Sequence, residues 1–237
     1  MDLTRDALQY VVGLDKAQLL EIDGQTYSTK GLTHITHPSP DALEITTLTG
    51  LVDYIKSGID GLTNSELLIQ VVSPTQVRLY SKIGADADRD LFVTVKAQLP
   101  GIVLGQFLSV ESFIIMLQAG FLPADTTDTE AVLKVVGNVV EENVRTTGDD
   151  GVSQVVTAKV GIAKKGEVVV PNPVTLKPYR TFTEVEQPES KFIFRMQDGP
   201  RAALIEADGG AWKSVAMQSI KKYLDYELHD AGVKIIS

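Results

Sequence analysis

The chain has 237 residues, a formal net charge of -9 and a sequence pI of about 4.8, and 43% of its residues are hydrophobic. This length and composition are typical of one large globular domain or two small ones, and they exclude global disorder. The negative field repels nucleic acid phosphates and anionic lipids, which disfavours binding to either. Because the sequence contains no cysteine, disulfides, thiolate nucleophiles and cysteine-bound metals are excluded.

Two further features bear on the cellular compartment. The apolar runs are far shorter than the roughly 20 residues that cross a bilayer. The first turn carries Asp2, Arg5 and Asp6, and no apolar segment of a secretory signal follows them. We therefore expect a cytoplasmic protein without a membrane segment.

The N-terminal stretch predicts one helix and one hairpin. Apolar residues over Asp2 to Lys16 recur at the spacing of a short amphipathic helix. Asp23 and Gly24, which tolerate the positive dihedrals of a two-residue turn, separate two strand-like runs. His34 and His37 follow in a loop. Two histidines at this spacing can ligate a metal, but loop histidines near prolines more often serve in turns.

The next segment predicts a helix and an antiparallel meander. Ala42 to Thr46 is strand-like, and Thr49 is placed to cap a helix that continues to Ile59. Three β-rich runs then follow, the first two split by a proline turn, so a meander is the simplest topology. These runs are Leu67 to Val72, Gln76 to Ile83 and Leu91 to Ala97.

The middle of the chain predicts two helices and a boundary. Gln106 to Leu108 reads as a short strand, and Ser109 caps a helix over Val110 to Ala119. Glu130 to Arg145 has helical apolar spacing, although its valines leave a strand open as an alternative. The polar turn around residues 146–151 is a possible boundary inside a single compact domain, dividing residues 1–147 from residues 148–237.

The C-terminal part predicts strands closed by a long helix. The prolines of Pro171 to Phe182 favour an extended edge segment over a central strand. The remaining elements are strands over Val152 to Ile162 and Glu167 to Val170, a hairpin of Phe192 to Met196 with Arg201 to Glu206, the amphipathic helix Ala211 to Leu228, and an edge strand over Val233 to Ile236. The predicted fold class is α+β, with mostly antiparallel sheets and about four to five amphipathic helices packed on them.

The junction before the last helix is the most suggestive candidate site. Glu206 and Asp208 stand at alternate positions, so both could hold a divalent cation. Capping explains the same residues better: Asp208 caps the helix, Gly209 and Gly210 allow the turn, and Trp212 anchors the helix to the sheet. No cofactor is predicted, because the spaced glycines and lysine of a phosphate-binding loop are missing.

The proline-rich segment supplies candidate contacts with another molecule. Pro178, Tyr179, Arg180 and Phe182 are predicted to meet a second copy, since an extended arm can add to a neighbouring sheet. The arginines between Arg180 and Arg201 also offer a basic face for nucleic acid, although edge protection and ion pairs between subunits explain them better.

The C-terminal third carries a family resemblance. The blocks that carry it are Leu176-Lys177-Pro178-Tyr179-Arg180-Thr181-Phe182, Val185-Glu186-Gln187-Pro188 and Glu206-Ala207-Asp208-Gly209-Gly210-Ala211-Trp212-Lys213. In these blocks the chain resembles a family of uncharacterised phage and prophage proteins of the YfdQ-like kind. The resemblance implies a virus-encoded protein made inside a bacterial host. The family has no established catalytic residues, so none is transferred.

Three functions are compatible with these patterns. The leading hypothesis is a non-enzymatic phage protein that self-assembles into a homo-oligomer. One alternative is a metal-dependent enzyme or ligand-binding protein acting on nucleotides through Glu206 and Asp208, with Lys213 as a basic partner. The other is an accessory protein in phage DNA recombination or replication, which depends on the Arg180 to Arg201 region.

Overall fold

The computed structural model describes residues 4–14, 16–22, 25–31, 39–84, 87–123, 126–138, 148–149, 154–159, 165–197, 199 and 201–237. The fold is α+β with mostly antiparallel sheets, which confirms the predicted class. The chain divides into two compact units, residues 1–39 and residues 40–237.

Helices and strands are interspersed along the described part of the chain. The helices are α1 (Arg5–Leu14), α2 (Leu48–Ser57), α3 (Val110–Gly120), α4 (Thr129–Gly137) and α5 (Ala211–Glu227). The strands are β1 (Leu19–Ile22), β2 (Gln25–Ser28), β3 (Leu43–Ile45), β4 (Leu67–Ser73), β5 (Gln76–Ser81), β6 (Leu91–Lys96), β7 (Leu108–Ser109), β8 (Gly148–Asp149), β9 (Gln154–Lys159), β10 (Lys165–Val170), β11 (Val174–Leu176), β12 (Ser190–Gln197), β13 (Arg201–Glu206) and β14 (Lys234–Ile236).

The unit of residues 1–39 consists of α1 and the hairpin β1–β2. The hairpin pairs Ile22 with Gln25, which is the register that a two-residue turn requires. The predicted turn residues Asp23 and Gly24 lie outside the described residues. Where the structure describes this unit, every side chain whose burial is known is exposed or half-buried.

The unit of residues 40–237 contains a five-stranded sheet in the order β14-β4-β5-β6-β3. Its centre is the predicted antiparallel meander of β4, β5 and β6. Both edge strands run parallel to their neighbours. The predicted C-terminal edge strand is confirmed as β14, but the parallel pairing of β3 and β14 did not follow from the sequence.

Helices α2 and α5 cover one face of this sheet and form the first hydrophobic core with it. The predicted cap of α2 was wrong by two residues. Thr47, with extended dihedrals, accepts a hydrogen bond from the Gly50 amide and is the cap. Thr49 is already inside the helix, and α2 ends where Gly58 takes the left-handed conformation.

A four-stranded sheet in the order β11-β12-β13-β7 carries α3 and α4 and encloses the second core. The Ser109 hydroxyl accepts from the Ser112 amide, which confirms the predicted cap of α3. Strand β11 is an edge strand, as its flanking prolines predict. Helix α4 ends at Gly137 with Asn138 as its C-cap, so it is shorter than predicted, and residues 139–145 of the predicted helix lie outside the described residues.

A three-stranded sheet in the order β10-β9-β8 completes the described strands. Gly148 and Asp149 form a short strand, so a turn through both of them was the wrong prediction. They pair with β9 because its extended backbone offers free hydrogen-bonding groups. The boundary predicted near residues 146–151 falls within the larger unit, mostly outside the described residues, and it stays a prediction together with the single-domain organisation.

Candidate functional site

The candidate site is built by the segment between β11 and β12. Its backbone is tied to the end of α3, because the Leu122 amide donates to the Lys177 carbonyl at 2.8 Å and the Tyr179 amide donates to the Gly120 carbonyl at 2.8 Å. The segment between β11 and β12 therefore packs against the end of α3 in the same chain, next to the second core.

The four predicted contact residues fall on this segment. Pro178 and Arg180 are buried, Phe182 is 1% exposed, and Tyr179 is half-buried. Phe182 belongs to the first core. Tyr179 is therefore the member of this group with the most accessible side chain, and contact with a second copy through these residues stays a prediction.

Gln187 fixes the loop that follows Arg180. Its buried amide oxygen accepts from the amides of Arg180 at 3.0 Å and Thr181 at 3.2 Å. Its amide nitrogen donates to the carbonyls of Phe182 at 2.9 Å and Val185 at 3.4 Å. One side chain thus satisfies backbone groups that the loop would otherwise bury without partners.

Arg180 is the centre of the site. Its guanidinium carbon lies 4.1 Å from the centroid of the Trp212 ring and 5.8 Å from that of Phe192. The guanidinium donates to Glu206 Oε1 at 3.2 Å, to the Pro188 carbonyl at 3.3 Å and to the Ser190 hydroxyl. Desolvation lowers the pKa of Arg180 to about 10, although the charges of Asp208 and Glu206 oppose that effect.

Asp208 joins this network to the start of α5. It accepts from the Ser190 hydroxyl at 2.5 Å and from the Gly210 amide at 3.0 Å. Desolvation would raise the pKa of Asp208, but the hydrogen bonds from Ser190 and Gly210 and the charge of Arg180 outweigh it and hold the pKa below its ordinary value. Asp208 is therefore ionised at neutral pH.

The turn before α5 uses both glycines in the left-handed region, with φ of 63° at Gly209 and 81° at Gly210. The predicted cap Asp208 was wrong, because Gly210 occupies the cap position and no described side chain caps the helix there. The Asp208 carboxylate instead accepts from the Gly210 amide within the turn. Trp212 lies in the first turn of α5 and stacks on Arg180, so the helix is held to the segment as well as to the sheet.

The structure thus brings together residues that the sequence placed in different roles. Arg180 was assigned to partner contact, whereas Glu206 and Asp208 were assigned to metal binding. Both carboxylates instead face the guanidinium of Arg180, whose charge they balance. In the parts of the chain that the structure describes, no three histidine, aspartate or glutamate side chains are grouped to hold a metal ion. His34 and His37 lie outside the described residues.

Sequence reasoning missed the association of Arg180 with Trp212. The 32 positions that separate them span two strands and a hairpin turn, and short-range spacing carries no signal across such a distance. The one available signal was the pair of carboxylates Glu206 and Asp208 at the end of β13, which could have indicated a cation nearby.

A cavity of about 410 Å³ lies beside this network. It is lined by Thr175, Pro188, Glu189, Ser190, Lys191, Asp208, Ala211, Trp212 and Val215. The Ser190 hydroxyl is already committed, because it accepts from Arg180 and donates to Asp208. The cavity therefore offers charges and an aromatic ring for binding, while its serine is not placed as a nucleophile.

Comparison of the chain with protein-family models, with curated proteins and with solved structures finds no match. The resemblance to YfdQ-like phage proteins accordingly stays a prediction. Within the described residues, every helix is too short or too polar to cross a membrane.

Proposed function

We propose that this protein is a non-enzymatic, phage-encoded protein that assembles into a homo-oligomer in the host cytoplasm. The observation that carries the proposal is the exposed apolar surface of residues 1–39. The phage origin is supported by the resemblance of the C-terminal third to YfdQ-like proteins.

The apolar surface has two parts. On α1, Leu8, Val11 and Val12 occupy positions i, i+3 and i+4, so they share one face of the helix. On the hairpin, Leu20 pairs with Tyr27, and Ile22 lies two residues further along the same face. The large exposed apolar side chains of this unit are Leu8, Tyr10, Val11, Val12, Leu19, Leu20, Ile22 and Tyr27.

This surface is large enough for a small contact between two copies. A ten-residue helix and a two-stranded hairpin are each marginal in water unless an apolar face is covered. If the six side chains on these two faces each lose about 60–100 Å² of accessible surface, one copy buries about 360–600 Å², which is smaller than the roughly 800 Å² per partner of a standard interface and typical of a weaker one. A second copy supplies the same apolar area and buries both surfaces at once.

Light scattering coupled to gel filtration tests this proposal at micromolar concentration. The full chain should elute as a dimer or larger species. The double variant Leu8→Glu with Val12→Glu places two charges on the apolar face of α1 and should shift the protein to a monomer. Ile59→Glu is the matched control, because Ile59 is 76% exposed in the larger unit. A monomeric full chain, or assembly unchanged in the double variant, would rule out association through this face.

A further inference from the structure

The cavity beside Trp212 has an excess of negative charge. Two carboxylates, Glu189 and Asp208, line it together with the single ammonium of Lys191. The Asp208 charge is shared with Arg180 through the network described above. Glu189 accepts a hydrogen bond from the Thr126 hydroxyl at 2.5 Å and makes no ion pair with the described residues. Glu189 is exposed, and the lining as a whole has one more carboxylate than ammonium, in a protein whose net charge is already -9.

The aromatic wall of the cavity already binds one cation within the fold. Arg180 covers the Trp212 ring at 4.1 Å, but Arg180 does not line the cavity. The half-buried Trp212 side chain thus contacts Arg180 and also lines the cavity. Tryptophan is the strongest cation acceptor among the aromatic side chains.

The remaining walls are apolar but partly exposed to solvent. Pro188, Ala211 and Val215 contribute apolar surface, and Val215 is 53% exposed although the helical pattern predicts it on the packed face of α5. An apolar wall strengthens attraction between charges because it excludes water. The volume of about 410 Å³ falls in the range of sites for small ligands and has room for a whole arginine or lysine side chain.

We propose that this cavity binds a cationic organic group, a guanidinium or an alkylammonium, between the Trp212 indole and the Glu189 carboxylate. The group belongs either to a free small molecule or to an arginine or lysine side chain of a peptide. Lys191 limits the affinity, because it is the one like charge in the lining.

Trp212 provides a direct readout, since it is the only tryptophan of the chain. Methylguanidinium and tetramethylammonium are titrated at constant ionic strength while tryptophan fluorescence is recorded. Both should give saturable changes with dissociation constants of about 1–10 mM, typical of ligands with so few atoms. Methylurea, the neutral analogue of methylguanidinium, should give none. An equal response to methylurea, or no saturable response to either cation, would overturn the proposal.

Variants locate the binding. Glu189→Gln removes one of the two carboxylates from the lining and should weaken methylguanidinium binding about fivefold, whereas Lys191→Met should tighten it. Asp53→Asn removes one negative charge from α2, which does not line the cavity, and should change binding less than twofold. Equal weakening in Glu189→Gln and Asp53→Asn would overturn the assignment, because only the net charge would then matter.

A last titration distinguishes the two sources of the cation. Acetyl-Gly-Arg-Gly-amide carries the same guanidinium on a peptide. Tenfold tighter binding than that of methylguanidinium would assign the site to a peptide side chain, because the backbone would add contacts. Equal affinity would assign it to a small molecule. If methylguanidinium bound and the peptide did not, the small-molecule assignment would also be supported, because the cavity would then exclude a peptide backbone.

Discussion

Residues 1–39 and residues 40–237 differ in where they place their apolar side chains. The larger unit buries two clusters, one beneath α2 and α5 and one beneath α3 and α4. In the smaller unit, none of the described side chains is buried, yet it carries eight large apolar side chains on its surface. Similar residues are thus core in one unit and surface in the other, because a helix and a hairpin are too few to enclose a core.

The two units also differ in their buried polar side chains. Inside the larger unit, Arg180 and Gln187 are buried and bonded to several partners each. Although Arg180 Nε has no hydrogen-bond partner among the described residues, these bonds tie the segment between β11 and β12 to this chain's own fold. The larger unit pairs these polar groups internally, whereas the described large apolar side chains of the smaller unit lie exposed.

Phe182→Ala should have the largest effect on stability. The side chain is 1% exposed within the first core, so its removal leaves a cavity and should cost about 3–5 kcal/mol. Phe107→Ala is the control, because Phe107 is 41% exposed. Urea denaturation of both variants measures the difference. If Phe182→Ala instead weakened association at unchanged stability, the residue would belong to a contact between copies.

Arg180→Met should have the next largest effect and lower the free energy of unfolding by about 3 kcal/mol, because it leaves the carboxylates of Glu206 and Asp208 without their buried partner. Methionine keeps much of the apolar contact with Trp212, so the loss reports mainly the charge. Arg201→Met is the matched control on exposed β13 surface and should stay within about 0.5 kcal/mol. Similar free energies of unfolding for the two variants would show that the network contributes little.

Asp208→Asn should cost about 1–2 kcal/mol at pH 7 and less in acid. The folded-state pKa of Asp208 lies below its ordinary value, so the carboxylate stabilises the fold above the unfolded-state pKa. That contribution is lost as the pH falls through the folded-state pKa. Urea midpoints measured from pH 6 to pH 3 should therefore fall more steeply in the wild type than in the variant. Parallel curves would contradict this assignment.

Local patterns predicted the elements of the fold but not their assembly. The meander β4–β5–β6, the Ser109 cap and the edge position of β11 follow from alternation, capping and proline chemistry, which act over a few residues. The parallel pairing of β3 with β6 and of β14 with β4 joins segments that are distant in sequence. Such pairing leaves no local pattern, so it did not follow from the sequence.

In the candidate site, too, the sequence predicted local features but not contacts between distant residues. The sequence correctly predicted the glycine turn at Gly209 and Gly210 and the position of Trp212 at the start of the helix, but not that Gly210 rather than Asp208 is the cap. It did not predict that Arg180 would be buried against Trp212, because arginine is normally an exposed residue. Burial became possible only when the fold brought two carboxylates and two aromatic rings to one place.

Gly209→Ala should cost about 1 kcal/mol. The residue has a φ of 63°, and nothing lies within 4 Å of an added Cβ atom, so the loss is one of backbone strain alone. Gly101→Ala is a control, since its Cβ atom also meets open space and its φ is not positive. Thermal unfolding should separate the two variants, and equal melting temperatures would mean that the turn relaxes without cost.

Deletion of residues 1–39 should have the smallest effect on stability and the largest on assembly. All residues of the two cores lie between Ile45 and Ile235. The free energy of unfolding of the truncated chain should therefore be within about 0.5 kcal/mol of that of the full protein when both are measured as monomers. Light scattering should show the truncated chain as a monomer at concentrations where the full chain associates. A truncated chain that is strongly destabilised would make residues 1–39 part of the fold of the larger unit. If the truncated chain still associated, the contact between copies would lie on residues 40–237. The proposed difference between the two units would then be wrong.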